Sequence, residues 1–109
     1  MRVWDVSPSI LCKNHLLGEH REIHAIWSIL TTDKKGYLHH PETIRWKGRL
    51  NALYHRHNML ATEMSRRGYK HQSPLDRKFA NGSKIQTEFV DSPQKQIKIL
   101  KRKNCDCRI

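Results

Sequence analysis

The stretch HLLGEHREIHAIW, residues 15–27, places several side chains that could do chemistry on one helical segment. With a rotation of about 100° per residue, its apolar residues share one face: Leu16, Ile23, Ile26, Trp27 and Leu30. Beside that face lies what we call the polar stripe: Asn14, His15, Gly18, Arg21 and Glu22. A glycine inside a helix costs about 1 kcal/mol relative to alanine, so Gly18 indicates close approach by something large, such as a sugar or a phosphate.

The α-amine of Met1 is a second candidate for a reactive group. Its reference pKa of about 7.7 to 8.0, against about 10.4 for lysine, leaves a useful fraction neutral and nucleophilic at physiological pH. Extended, residues 1–7 span on the order of 20 Å, while a helix rises about 21 Å from Pro8 to Glu22. The amine can therefore fold back to Glu22, although an ordinary frayed tail is the alternative interpretation. Within this arm we expect Trp4 to fill the core, with a wedge between bases as the alternative.

The pair His20 and His24 has the i, i+4 spacing of zinc-binding histidines. In the HExxH zinc helix the glutamate directly follows the first histidine, whereas Glu22 lies about 160° around the helix from His20. Zinc would need ligands from elsewhere in the chain. We therefore interpret the two histidines as hydrogen-bonded or solvated, expect His24 to be exposed, and predict no metal and no cofactor.

The three cysteines are Cys12, Cys105 and Cys107, and the CDC spacing is tighter than that of a CxxC zinc knuckle. We expect reduced thiols without chemistry, with a strained or inter-chain disulfide as the alternative.

The charge of the chain favours a polyanionic partner. Lys and Arg number 21 against 10 Asp and Glu, for a formal net charge of +11. Nucleic acid is the first candidate and an anionic membrane surface the second. No stretch approaches the 18 or so apolar residues of a membrane-spanning helix, and the N-terminus lacks the apolar run of a signal peptide. We expect a cytoplasmic, nucleoid-associated protein that forms one domain over residues 1–109.

The elements that must position these residues are predicted to be helices. Ser7-Pro8 is typical of a helix start, and this first helix should run to about Leu30 or Thr31. A second helix should run from Pro41 to a C-terminal cap at Gly68, and a third from Ser92-Pro93 to near Asn104. Between them, residues 69–91 lack clear periodicity, although KIQTEFV resembles a short strand. The fold class is thus all-α: two long helices and one shorter helix, with an extended N-terminal arm and a long irregular segment.

The second helix carries an apolar packing face with a 4-3-4-3-4 spacing: Trp46, Leu50, Leu53, His57, Leu60 and Met64. Such a face packs against another helix, with Leu53 and Leu60 in the core. We interpret His57 as a histidine at the edge of the core with a hydrogen-bond partner.

HLLGEHRE, together with MR at the N-terminus and RRGY at the end of the second helix, resembles the pyrimidine-dimer DNA glycosylases with associated lyase activity, of the phage endonuclease V type. In that family the α-amine attacks the sugar C1′, expels the base and forms a Schiff base that permits strand cleavage by β-elimination. The resemblance implies that the amine is that of Met1, that Glu22 is the catalytic carboxylate, and that Arg2, His15 and Arg21 contact DNA. Because Arg2 is too bulky a second residue for the usual removal of the initiator methionine, we expect Met1 to be retained and unblocked.

The predicted function is base excision with AP-lyase activity on damaged pyrimidines in duplex DNA, without a membrane or an obligatory protein partner. One alternative is a non-catalytic basic helical module that binds nucleic acid through Arg45, Arg49, Arg56, Arg66, Arg67 and the basic residues of 98–103. Another is a metal-dependent hydrolase that uses His20, His24 and the His39-His40 pair.

Overall fold

The structure, a computed structural model, describes residues 2–32, 39–70, 73–103 and 105–108. Its helices are α1 (Lys13–Thr32), α2 (Pro41–Ile44), α3 (Leu50–Arg66) and α4 (Pro93–Arg102), with 3₁₀ turns at Pro8–Ile10 and Arg77–Phe79. Over the described ranges there is no strand, so the all-α prediction is confirmed and the strand suggested for residues 84–90 is wrong. None of the helices in these ranges combines the length and apolar character that crossing a membrane requires.

Helix α1 begins five residues later than the Ser7-Pro8 signal predicted. Ser7 makes no side-chain cap, and the chain passes through the 3₁₀ turn and an extended Leu11 before the helix starts at Lys13. The reason is Arg67, the residue directly after α3. Its guanidinium donates hydrogen bonds to the carbonyls of Pro8, Ser9 and Leu11, at 3.3, 3.4 and 2.7 Å. These oxygens are therefore satisfied without the i to i+4 bonds of a helix.

The predicted second helix is interrupted by turns at residues 45–49. Gly48 has a φ of 73°, in the left-handed region that favours glycine. Its carbonyl accepts the Ser83 N–H at 3.0 Å, so the break serves a contact with the irregular segment. The C-terminal prediction is confirmed, since α3 ends at Arg66 and Gly68 follows with a φ of 84°.

The irregular segment also caps the start of α3. The carbonyls of Asn81 and Ser83 accept the N–H groups of Asn51 and Ala52, at 2.8 and 3.0 Å, which would otherwise lack helical partners. Gly82 permits this approach, because a Cβ on it would lie 2.1 Å from the Gly48 carbonyl oxygen.

The apolar packing face predicted from the 4-3-4-3-4 spacing is confirmed, since all six of its residues are buried. It meets the apolar face of α1, of which Leu30 alone is partly exposed. Helix α4 starts where predicted, with the Ser92 hydroxyl accepting the Lys95 N–H at 3.2 Å, and it contributes Leu100 to the core.

The N-terminal arm, residues 2–7, is built into the fold. Its backbone is held by side chains of three helices or their caps: Val3 N–H donates to Glu42 at 3.1 Å, Asp5 N–H to Gln96 at 2.7 Å, and the Val6 carbonyl accepts from Arg56 at 2.7 Å. Trp4 is 5% exposed, so its prediction as core filler is confirmed. Over residues 2–7 the frayed-tail interpretation is therefore wrong.

Candidate functional site

The polar stripe lies along one side of α1 and leaves space beside Gly18. A Cβ built on Gly18 would meet no atom within 4 Å, which fits the expectation that this position is kept small for something outside the protein. Glu22 is half-buried and Arg21 is exposed. Within the described ranges, the Glu22 carboxylate has no hydrogen-bond or ion-pair partner.

One turn before Glu22, the Glu19 carboxylate is almost completely buried at 1% exposure. Arg56 binds it through two hydrogen bonds of 2.6 and 3.0 Å. Burial raises the pKa of Glu19, although the charge and hydrogen bonds of Arg56 oppose this change. No local sequence pattern indicated this buried ion pair, because Glu19 and Arg56 lie 37 residues apart.

Of the predicted site residues Met1, Arg2 and His15, the structure describes Arg2 and His15. Met1 lies outside the described residues. The Arg2 guanidinium donates to Asp91 at 3.0 Å and lies 5.0 Å from the Trp4 ring centroid, so it faces the start of α4. The Trp4 ring in turn packs edge-on against His15, with centroids 5.6 Å apart. The structure thus brings the arm and the N-terminal part of the polar stripe together.

His15 also lies in a cluster with all three cysteines, which we call the Cys/His cluster: Cys12, His15, Cys105 and Cys107. Its Nδ1 is 3.1 Å from the Cys12 sulfur and 3.3 Å from the Cys107 sulfur. Burial and the nearby charge of Lys103 lower the pKa of His15, which favours a neutral ring. The cysteines are free thiols. Because Cys12 and Cys107 lie 95 residues apart in the sequence, local spacing could not predict that they meet.

Two thiols of this cluster titrate differently because of their surroundings. Burial raises the pKa of the Cys107 thiol to about 12. Burial acts in the same direction on Cys12, but hydrogen bonds from the His15 backbone, the Cys107 thiol and the backbone of Asp106 outweigh it and lower the Cys12 pKa. Cys12 is therefore the sulfur on which negative charge is stabilised.

A second cluster is formed by His20, His24 and His57. The Nε2 atom of His24 lies 3.2 Å from the Nε2 atoms of both His20 and His57. The expectation that His24 is exposed is wrong, because the side chain is half-buried in this cluster, whereas the hydrogen-bonded interpretation is confirmed. His57 is 1% exposed and also reaches the Ser73 carbonyl at 3.2 Å, as expected for a core histidine with a partner.

The structure corrects some of the residues that the two alternative functions would use. Arg45 and Arg56 are 4% and 8% exposed and bind buried carboxylates, so they do not form the DNA-binding surface that the basic-module hypothesis assigned to them. His40 belongs to neither cluster among the described residues, since its Nδ1 accepts the Glu42 N–H at the start of α2.

Basic side chains, all exposed except the partly buried Arg67, line a cavity of about 450 Å³ beside the start of α1. Its charged lining is mostly positive: Lys13, Arg66, Arg67 and Arg108, with Asp106. Asn14 of the polar stripe lines the same cavity. A phosphate group fits this chemistry, because cationic side chains and amide donors are the usual partners of DNA phosphates.

The comparisons with known proteins show the family of the chain. No significant match was found among curated proteins or among solved structures. The sequence profile of the family described as pyrimidine dimer DNA glycosylase matches residues 1–77, which include the arm, the polar stripe and all of α3. Because the match spans well over half of the 109 residues, the chain belongs to the pyrimidine dimer DNA glycosylase family, whose substrate is DNA.

Proposed function

We propose that this protein excises damaged pyrimidines from duplex DNA and then cleaves the strand as an AP lyase, through a Schiff base formed by the α-amine of Met1. In this reaction the neutral amine attacks C1′ of the damaged nucleotide, and the bond from C1′ to the base breaks. The sugar ring then opens to an iminium ion, and loss of a C2′ proton eliminates the 3′ phosphate.

The observation that carries the proposal is the anchoring of the arm beside the polar stripe. The Trp4 ring packs against His15 of α1, and Arg56 joins the Val6 carbonyl of the arm to the Glu19 carboxylate, one turn before Glu22. Three further residues lead from Trp4 to Met1, a reach of about 10 Å in an extended chain. Glu22 lies about 4.5 Å farther along the helix axis than Glu19. These distances bring the amine within reach of the Glu22 carboxylate.

A carboxylate at this position suits the proposed chemistry. Positive charge develops on the sugar as the base leaves and persists in the iminium ion, and the Glu22 carboxylate would stabilise that charge. The same group can accept and return protons during ring opening and elimination. The open space at Gly18 gives the sugar and its phosphates a place beside the helix.

Phosphate contacts are assigned to the basic groups around the stripe. Arg21 is exposed on α1, and Arg2 lies 33% exposed at the start of the arm. Such contacts position the duplex and do not by themselves select a lesion.

The test is borohydride trapping on duplex DNA that contains either a cyclobutane dimer or an abasic site. We expect wild-type protein with a verified free Met1 amine to form a covalent adduct, because borohydride reduces the iminium ion to a stable amine. Glu22→Gln should lower trapping on dimer DNA by two orders of magnitude or more, in line with loss of a group that stabilises transition-state charge. Acetylation of the N-terminus should abolish trapping on both substrates.

The matched control is Glu88→Gln, which changes an exposed carboxylate in the irregular segment, with 61% of its side chain exposed. This variant should trap as wild type does. No adduct with either substrate from folded wild-type protein, or full trapping by acetylated protein, would overturn the proposal.

A further inference from the structure

We propose that the Cys/His cluster binds one zinc ion, with Cys12, His15, Cys105 and Cys107 as its four ligands. This inference does not depend on the proposed reaction, because the three cysteines have no part in that reaction and zinc binding is measured separately; His15 alone belongs to both sets of residues. It replaces our expectation of thiols without chemistry.

The geometry of the cluster fits a tetrahedral ion. Bonds of about 2.3 Å to sulfur and about 2.0 Å to nitrogen place neighbouring ligand atoms about 3.4 to 3.8 Å apart. The three sulfurs and one ring nitrogen all lie within 4.8 Å of one another. The His15 nitrogen is 3.1 and 3.3 Å from two of the sulfurs, so shifts of a few tenths of an ångström would seat the ion. Three cysteines and one histidine are a common ligand set for structural zinc.

The surroundings are those that stabilise zinc-bound thiolates. Cys12 directly precedes α1, a helix of 20 residues, and the N-terminal end of a helix favours negative charge. The Cys12 N–H donates to the Cys107 sulfur at 3.1 Å. Such a donor orients the ligand and spreads its charge.

Neighbouring cations compensate the charge of the proposed zinc site. Three thiolates and one Zn²⁺ carry a net charge of −1. Lys13 and Arg108 line the cavity that adjoins Cys12 and Cys105, and both are cations next to ligand residues. The cluster therefore sits in a basic region that compensates its charge.

With four protein ligands the ion would have a structural role. It would join the segment after α4 to the start of α1, across a separation of 95 residues between Cys12 and Cys107. The Arg108 N–H already donates to the Ile10 carbonyl at 2.7 Å, so the two segments are adjacent without the ion. Binding at Nδ1 would also fix the His15 ring, against which Trp4 of the arm packs.

The first experiment uses wild-type protein, purified under reducing conditions without chelators. We expect metal analysis by mass spectrometry to detect bound zinc. Titration of the three thiols with a mercurial reagent should release one equivalent of zinc per chain. Replacement by Co²⁺ should give intense visible bands of a tetrahedral site and a near-ultraviolet charge-transfer band from sulfur. Metal at His20, His24 and His57 would lack that sulfur band, so the spectrum separates the two clusters.

Variants supply the second experiment. Cys107→Ser and His15→Gln should each lose the thiol-releasable zinc and weaken or shift the cobalt bands, whereas His55→Gln, which changes an exposed histidine on α3, should keep both signals. Removal of the metal from the wild type should lower its melting temperature.

Three wild-type results would overturn the proposal: no thiol-releasable metal, a cobalt spectrum without the sulfur band, or thiols that react at once in the folded, metal-supplied protein. Because these readouts need only wild-type chain, failure of a variant to fold leaves the test intact. Zinc binding without DNA trapping would contradict the proposed reaction alone, and trapping by a zinc-free protein would contradict the zinc site alone.

Discussion

Glu63, near the end of α3, illustrates how one residue can connect stability to pH. Its carboxylate binds the guanidinium groups of Arg66 and Arg67, the latter at 2.7 Å. The hydrogen bond from Arg66, helped by Arg67 against the effect of burial, lowers the pKa of Glu63 from 4.5 to about 2. Because Arg67 also holds the carbonyls before α1, Glu63 supports the entry to the helix that carries the candidate site.

This lowered pKa predicts a loss of stability in acid. The ionised carboxylate contributes fully above a pH of about 4.5, and its contribution disappears as the pH falls toward 2, where the folded protein too takes up the proton. Urea unfolding between pH 6 and pH 2 should therefore show a steeper loss of unfolding free energy for wild type than for Glu63→Gln. Parallel curves for the two proteins would contradict this account.

Single residues also show which features of the candidate site could be predicted from the sequence and which could not. The stripe residues His15, Arg21 and Glu22 were found because their spacing on one helix is a local property. Glu19 was missed, although it lies in the same helix, because only the fold shows that Arg56 binds its carboxylate. A histidine three residues after Cys12 was the one local signal for the Cys/His cluster.

At the scale of elements, α1 combines a packing face with a glycine, Gly18, inside a continuous helix. Gly18→Ala should raise the free energy of unfolding by up to about 1 kcal/mol, because alanine is the better helix former and its Cβ meets no atom within 4 Å. The same substitution should slow strand cleavage on damaged DNA, since the methyl group enters the space assigned to the sugar and phosphates. Urea unfolding and a nicking assay measure the two effects.

Ser65→Ala, on an exposed position of α3, is the matched control for helix propensity away from the stripe. It should leave nicking unchanged. A Gly18→Ala protein with wild-type nicking would show that the space at Gly18 is not used by the substrate.

The boundaries of the elements show why local signals failed at two places. Ser7-Pro8 is a typical helix start when only the local sequence is considered. In the fold, however, Arg67, directly after α3, donates a hydrogen bond to the Pro8 carbonyl. The packing face runs without a change of spacing through the break after α2, so periodicity could not reveal it. The break depends on Gly48 meeting Ser83, a contact between residues far apart in sequence. Where a boundary depends on local capping, as at Ser92, the prediction held.

For the whole molecule, the net charge of +11 predicts salt-dependent DNA binding. Each phosphate contact contributes about 0.9 to the slope of log affinity against log salt concentration. Arg21→Gln should lower that slope by about 1 if Arg21 meets a phosphate. Fluorescence anisotropy with a labelled duplex at several salt concentrations measures it.

Lys78→Gln is the control for total charge, because Lys78 is exposed on the second 3₁₀ turn and faces Asp76 at 3.7 Å. It should change the slope less than Arg21→Gln does. Equal effects of the two substitutions would mean that overall charge, and not the stripe, attracts the DNA.

The buried arm has a consequence for how protein and DNA would meet. Val3, Asp5 and Val6 are hydrogen-bonded to side chains from different helices, so this segment is unable to swing outward while the fold persists. The conformational change that binding requires must then occur in the DNA duplex. A damaged nucleotide would have to unstack and rotate toward the protein, at a cost of a few kcal/mol that is smallest where the lesion has already weakened its pairing.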